Sequence, residues 1–373
     1  MDQDTDAPED FGCKPLLFHK GRGAGSNVRS RFEKWGREVD YSHQPEGEPD
    51  EVEPRPETVV SASKATRIIS RNSSPDIPFD QSINPFQGCE HGCVYCYARP
   101  THAYVGLSPG MDFETKLFVK ANAGALLEKE LNSSTYEPSL IALGANTDPY
   151  QPIERKLEVT RSIVEVLTRR RVPFSVTTKN ALVTRDIDLL APAAERGLCR
   201  VNISLATIDP KLARILDPRA SSPDSRLKAM EKLSRAGIPV SVFASPMIPT
   251  INDPELEHIL EAASAAGATY ASMILLRLPR EVLDIFVEWL EEHFPLRAKH
   301  VMSLVNQARG GKDYESAFFK RMRGTGPYAQ MLSQRFARAC SKFQLVRSAL
   351  APVDTSQFVR AALPGDLQSS LFD

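Results

Sequence analysis

Neither sign of charge prevails in this chain: 46 Lys and Arg stand against 47 Asp and Glu, a net charge of −1. A strongly basic nucleic-acid coat is thereby excluded, and any such function needs a local patch. No run approaches the ~20 apolar residues of a membrane helix. The acidic start, MDQDTDAPED, lacks the apolar core of a secretory signal, so a cytoplasmic protein without membrane contact is expected. Cysteine is scarce, with 6 in 373 residues, which excludes a disulfide-stapled miniprotein. Cys89, Cys93 and Cys96 crowd together, while Cys13, Cys199 and Cys340 stand alone; that distribution suits a metal or cluster site better than a disulfide framework. What remains is an ordinary globular mix, 42% apolar and 25% charged. The length allows one large domain or two ordinary ones.

Residues 1–60 read as a flexible charged extension. Lys14 to Arg37 holds seven Lys and Arg against Glu33 alone, and Glu38 to Glu57 holds eight acids against Arg55. Such a switch without apolar periodicity suits a solvated tail. A second reading is a basic arm whose GRGAGSN string offers backbone amides to a phosphate.

From residue 79 to 300 short β-branched runs alternate with helical patterns, the signature of βα units and a parallel sheet. Strands are predicted at Phe79–Asn84, Ser139–Gly144, Phe174–Lys179, Arg200–Ala206, Val240–Ser245 and Tyr270–Leu276. Helices are predicted at Lys156–Arg170, Arg185–Arg196, Asp224–Ala236, Pro254–Ala266 (N-cap Asp253) and Arg280–His293, with Gly197, Gly237 and Gly267 as C′ residues. Six such units fit a partial, open TIM-type (β/α)6 barrel; an open doubly wound sheet has the same periodicity. Residues 301–350 form a basic helical C-terminal segment, with Ala329–Phe343 helical, and residues 351–373 a flexible tail. Gln307 to Arg347 carries nine Lys and Arg against Asp313 and Glu315, with six aromatic residues interleaved. Arg309, Lys312, Lys320, Arg321 and Arg323 could follow phosphates while Tyr314, Phe318 or Tyr328 stacks on a base. An ordinary helix pair with Phe318 and Phe319 in the core is the other reading.

The segment INPFQGCEHGCVYCYARP places Cys89, Cys93 and Cys96 in a C-x3-C-x2-C spacing just after the first predicted strand. Three thiolates from one loop can bind three irons of a cubane and leave the fourth without a protein ligand. Zinc, with His91 as fourth ligand, is the alternative. Zinc sites usually clamp two separated ligand pairs, and no second pair exists in this sequence; a zinc-stabilised nucleic-acid-binding module would follow from that choice.

This motif, with aromatic Tyr95 before the third cysteine, resembles the radical S-adenosylmethionine superfamily. GCEHGCVYCYARPTHAY and LGANTDPYQPIE resemble its spore photoproduct lyase-related branch, over roughly residues 79–350. The resemblance implies that Cys89, Cys93 and Cys96 hold a 4Fe–4S cluster and that S-adenosylmethionine chelates the open iron. It also implies that a reduced cluster releases a 5′-deoxyadenosyl radical, with an electron donor such as a flavodoxin or ferredoxin. By resemblance, Lys179 and Ser204 match cofactor-contacting positions, and Asn146, Thr147 and Asp148 follow the second strand where the amino group binds. Asn202 is a candidate for the ribose hydroxyls. Spore photoproduct lyases carry a hydrogen-donating cysteine after the second strand, and LIALGANTDPYQPIE has none. Tyr95, Tyr97 and Tyr104 are alternative radical relays. Independently of the family, Ser175, Thr177, Lys179, Arg200, Asn202, Ser204, Ser241 and Ser245 alternate with apolar neighbours. A barrel lumen so lined must be wet or liganded.

DNA is the expected substrate, with a protein or small-molecule substrate as the alternative. At the C-terminus, Gln368 to Phe372 resembles the short peptide that binds a bacterial sliding clamp, a candidate partner contact.

Overall fold

The computed structural model describes residues 20–33, 56–347 and 354–360. The six predicted runs become parallel strands: β1 (Gln81–Ile83), β2 (Ile141–Leu143), β3 (Phe174–Thr178), β4 (Cys199–Ser204), β5 (Val240–Met247) and β6 (Tyr270–Leu275). They lie side by side in chain order. Ile69–Arg71 adds antiparallel to β1, and Val346–Arg347 adds parallel to β6. Among the described residues no ladder joins these two edges, so the barrel is open, as its sequence pattern predicts.

The longer helices are α1 (Ala123–Leu131), α2 (Val159–Arg170), α3 (Ile187–Glu195), α4 (Pro223–Arg235), α5 (Leu256–Ala265), α6 (Val282–His293), α7 (Ala298–Ala308) and α8 (Gly326–Lys342). Of these, α1 to α5 and α8 cover one face of the sheet, whereas α6 and most of α7 pack in a second core with Val94 and Tyr95. Strand alternation aims Leu143, Val176, Val201, Ile203 and Val242 outward. There they share one core with Ile163 and Leu167 of α2, Leu190 of α3, Leu233 of α4 and Ile259 of α5. Each such buried side chain contributes about 1.5–3 kcal/mol of hydrophobic stabilisation. Local signals agree: Ser222 caps α4 by accepting from Ser225 N–H, with Pro223 in the first turn.

Several boundaries differ from the sequence pattern. The helix expected over 156–170 breaks at Glu158, where φ is 52°. The reason is Glu154, whose carboxylate accepts from the N–H groups of Thr160 and Arg161 and starts α2 there. Asp253 is not the cap of α5; it lies in a 3-10 turn, Asp253–Glu255, and accepts from Thr250 N–H. The extension also needs correction. Residues 20–33 pack on the barrel, and Val59–Ala62 pairs with Lys116–Val119, itself paired with Phe86–Gln87. The tail is likewise held at 354–360: Val359 N–H donates to Arg170 O at 2.9 Å and Arg360 to Tyr136 O at 3.0 Å. Cys13 and the Gln368–Phe372 segment lie outside the described residues. No helix among the described residues is long and apolar enough to cross a membrane.

Candidate active site

The three cysteines sit in the loop between Phe86–Gln87 and a 3-10 helix, Arg99–Val105. Cys89 and Cys93 are buried, Cys96 is half-buried, and all three are free thiols. Burial pushes the Cys89 thiol well above its ordinary value, and Asp148, Cys93 and Cys96 push the same way. Burial lifts Cys93 to about 12 against the pull of Lys179, with Asp217 and Cys96 adding to the rise. The thiols therefore lie within electrostatic reach of one another, and burial opposes an unpaired thiolate at Cys89 and Cys93, so a bound cation would be needed to stabilise one there. Among the described residues no three His, Cys, Asp or Glu side chains converge on one ion position. A zinc ion needs that convergence; a cubane offers separate corners, each taking one thiolate. His91, the alternative fourth zinc ligand, is turned to other work. Its Nδ1 lies 3.3 Å from Asp148 Oδ2 and its Nε2 3.3 Å from Asn180 Nδ2. The donor set fits a cluster.

The other expected site residues gather around this loop to different degrees. Lys179, one residue past β3, carries its ammonium 5.9 Å from the Tyr95 ring centroid. Burial would lower its pKa, but Cys93, Asp217, Asp148 and Cys96 together hold it above the ordinary value. Asp148 sits opposite. Burial would raise its carboxyl, yet His91, Thr178 and Lys179 bring it to about 2. Its oxygens already accept from Thr178 Oγ1 and Lys179 N–H, each at 2.7 Å, and from Tyr150 N–H at 2.9 Å. Thr147 Oγ1 donates to Phe86 O at 2.7 Å, and Asn146 is half-buried, tied through its N–H to Asn84 Oδ1. Asp148 and Thr147 thus fasten the β2 end to the cluster loop and to the end of β3.

Deeper in the lumen, Asn202 Nδ2 donates to Thr177 Oγ1 at 3.1 Å and Ser204 Oγ to Ser245 O at 3.3 Å. The hydroxyls of Ser241 and Ser245 are buried without a hydrogen-bond partner. Buried hydroxyls need partners, and a ligand in the lumen would supply them. Tyr95 is buried; Tyr97 and Tyr104 are exposed. Cys199 and Cys340 both lie in the outer core between sheet and helices, so neither thiol faces the lumen.

Three buried or half-buried arginines around the site escaped the sequence pattern. Arg226 of α4 is buried, paired with Asp217 at 2.6 Å and donating to Ser204 O at 2.9 Å. Arg99, fully buried, pairs with Glu114. Arg277, just past β6, stands 5.4 Å from the Tyr97 ring centroid and donates to Tyr314 Oη at 3.2 Å; its Nε is buried without a partner. An arginine at a helix or strand end reads as solvated, so only a lone Arg after an apolar strand could have flagged Arg277. The basic segment is also corrected. Arg309 is buried, donating to the carbonyls of Leu275, Leu276, Lys320 and Arg321, and Arg321 pairs with Asp76. Phe318 and Phe319 are exposed rather than in the core.

The radical SAM superfamily model matches residues 83–263. An uncharacterized protein of Mycobacterium tuberculosis is 33% identical over 295 residues, covering 76% of this chain and 83% of that protein. One from Methanocaldococcus jannaschii is 28% identical over 234 residues, covering 62% and 82%. Among solved structures, spore photoproduct lyase with bound AdoMet and dinucleoside spore photoproduct matches with a TM-score of 0.55 at 18% identity, covering 83% of this chain and 88% of that one. With a three-cysteine loop following β1 of an open six-stranded barrel whose fold is that of spore photoproduct lyase, this chain belongs to the radical SAM superfamily and is an enzyme of the 4Fe–4S cluster and S-adenosylmethionine.

Proposed function

We propose that this radical SAM enzyme acts on nucleic acid, as a lyase-like or repair-like enzyme of DNA. The observation that carries the reading is Arg277. It lies at the mouth of the lumen, touches Tyr97 one residue after Cys96, and is bonded to Tyr314 of the basic segment. A guanidinium there joins the cluster loop to the basic segment 307–347, and its orphaned Nε suits a phosphate or base oxygen. Beyond it, Lys312, Lys320 and Arg323 face solvent beside exposed Phe318 and Phe319, cations to follow phosphates and rings to stack on bases. Arg309 and Arg321 are left out of this surface because the fold already engages them. The solved spore photoproduct lyase complexed with dinucleoside spore photoproduct supports the same substrate class.

The cluster and S-adenosylmethionine, when bound, supply a carbon-centred radical after one-electron reduction. The chain's own residues hold and orient. Cys89, Cys93 and Cys96 ligate iron. Lys179 would meet the methionyl carboxylate, and Asn146, Thr147 and Asp148, at the end of β2, would serve the amino group. Asn202 would meet the ribose hydroxyls, Ser204 would contact the cofactor, and Tyr95 packs beside Lys179. A flavodoxin- or ferredoxin-type protein is the partner that would reduce the cluster. Since the segment after β2 has no cysteine and Cys199 and Cys340 lie in the outer core, the proposal is the substrate class and not the spore photoproduct reaction.

The test is DNA binding as a function of salt. Affinity should fall steeply, and replacing Lys320 and Arg323 together should flatten the log–log slope by about two counterions. Arg277→Ala should reduce DNA-dependent formation of 5′-deoxyadenosine without altering iron content. Salt-insensitive binding, or wild-type behaviour of both variants, would point to a protein or small-molecule substrate instead.

A further inference from the structure

We infer that residues 20–33 are a clasp that closes the open side of the barrel at its cysteine end and seats the cluster loop, with Glu114 as the positioning residue at its catch. The sheet leaves a seam between β1 with its added strand Ile69–Arg71 and β6 with its added strand Val346–Arg347. The cysteine loop follows β1, α6 follows β6, and the clasp binds both. On the β1 side Gly23 and Ala24 N–H groups donate to the two oxygens of Glu114, each at 2.9 Å. Asn27 exchanges two hydrogen bonds with Asp112, and Ser108 Oγ donates to Val28 O at 2.7 Å. On the β6 side Arg31 pairs with Glu281 at 2.9 Å, Ser26 Oγ donates to Glu288 at 3.0 Å, and Ala24 and Val28 pack on Ile285 of α6.

The β1 contacts reach the cluster ligands through a short buried path. Glu114 is fully buried and also accepts from Arg99 Nη2; Arg99, equally buried, donates through Nε to Cys93 O at 2.8 Å. Arg99 Nη1 holds the carbonyls of Pro109 and Gly110 as well. A buried carboxylate is stable only when its lone pairs are met, and two of the donors that meet Glu114 come from the clasp. The fit is tight at one point. A Cβ on Gly23 would stand 1.7 Å from Gly92 O, and one on Gly92 would stand 2.8 Å from Glu114 Oε2 at a φ of 68°. Two glycines therefore let the clasp lie directly on the loop between Cys89 and Cys93. The amides once open to a phosphate reading are occupied by the chain's own carboxylate. Groups that orient metal ligands in this way typically shift metal retention 10–100-fold.

The inference rests on the cluster cysteines and not on the nucleic-acid reading, and its test needs no substrate. In the full-length chain, Gly23→Val prevents the clasp from seating; its side chain would meet Gly92 O and Val94 of the cluster loop and none of the core between the sheet and its helices. Hydrogen exchange on the iron-free protein should then quicken by roughly tenfold or more for amides 86–97, with β3 to β5 unchanged. In the reconstituted protein, iron loss to a chelator should quicken by about tenfold, and the paramagnetic spectrum of the reduced cluster should change. Glu114→Gln should act in the same direction; if it does not fold, Gly23→Val decides alone. Unchanged exchange at 86–97 in Gly23→Val would overturn the clasp, and so would faster exchange spread equally through the sheet.

Discussion

The two faces of the central sheet carry opposite chemistry on alternate residues of the same strands. Outward, Val176, Val201, Ile203 and Val242 are buried among helix side chains. Inward, Thr177, Asn202, Ser204 and Ser241 line a lumen, with the Ser241 hydroxyl lacking any partner. A closed TIM barrel fills that space with branched apolar side chains. Here the sheet draws its stability from one face and leaves the other polar, open at the β1–β6 seam, for ligands. The difference teaches that stability and function can be separated on a two-residue period, so substitutions one residue apart should give different phenotypes.

The largest effect sets the cysteines at the mouth against the cysteine on the outer face. Cys89→Ala, Cys93→Ala or Cys96→Ala should each take bound iron from about four per chain to near none, whereas Cys199→Ala and Cys340→Ala should keep it. Iron analysis after anaerobic reconstitution reads this directly, and stoichiometric zinc with no iron uptake would break the assignment. Next, Ile203→Ala on the outer face should cost about 2–5 kcal/mol of stability in a denaturant titration and leave S-adenosylmethionine affinity unchanged in the folded fraction. On the inner side, Lys179→Ala should do the reverse. It removes a charged partner worth about 1.5–3 kcal/mol of cofactor affinity while iron content stays at wild type. Smallest is a pair in the lumen. Ser204→Ala should weaken the cofactor by about 1 kcal/mol, and Ser241→Ala should leave stability within about 0.5 kcal/mol of wild type, since its hydroxyl has no protein partner to lose. A large stability loss in Ser241→Ala would mean that the inner face is structural and would erase the contrast.

Legibility followed the range of the interaction. The strands were readable because β-branched runs and turn glycines are local, and all six predicted strands are present within a few residues of their bounds. The cysteine loop was readable because its ligands lie within one short segment. The two basic stretches were not, because charge in a sequence does not say what it faces. Arg22 donates to Pro56 O and Thr58 Oγ1, Arg31 pairs with Glu281, Arg309 caps four carbonyls, and Arg335 pairs with Glu257. Most of these partners lie more than thirty residues away in the chain, so no spacing rule could connect them. Asp148 and Thr147 follow β2 and spend hydrogen bonds on the protein itself, which no local pattern announces.

By itself the sequence determined the βα alternation, the polar face of the strands and a three-thiol loop following the first strand, because each depends on residues close enough to act through backbone periodicity or one short loop. Tertiary structure alone decided which cations remain free, that Arg277 stands between the cluster loop and the basic segment, and that residues 20–33 close the seam. These depend on a buried charge finding its partner across the fold. Glu114 holds Gly23 and Ala24 from some ninety residues away, and a desolvated carboxylate is satisfied by whatever donors the folded chain brings to it.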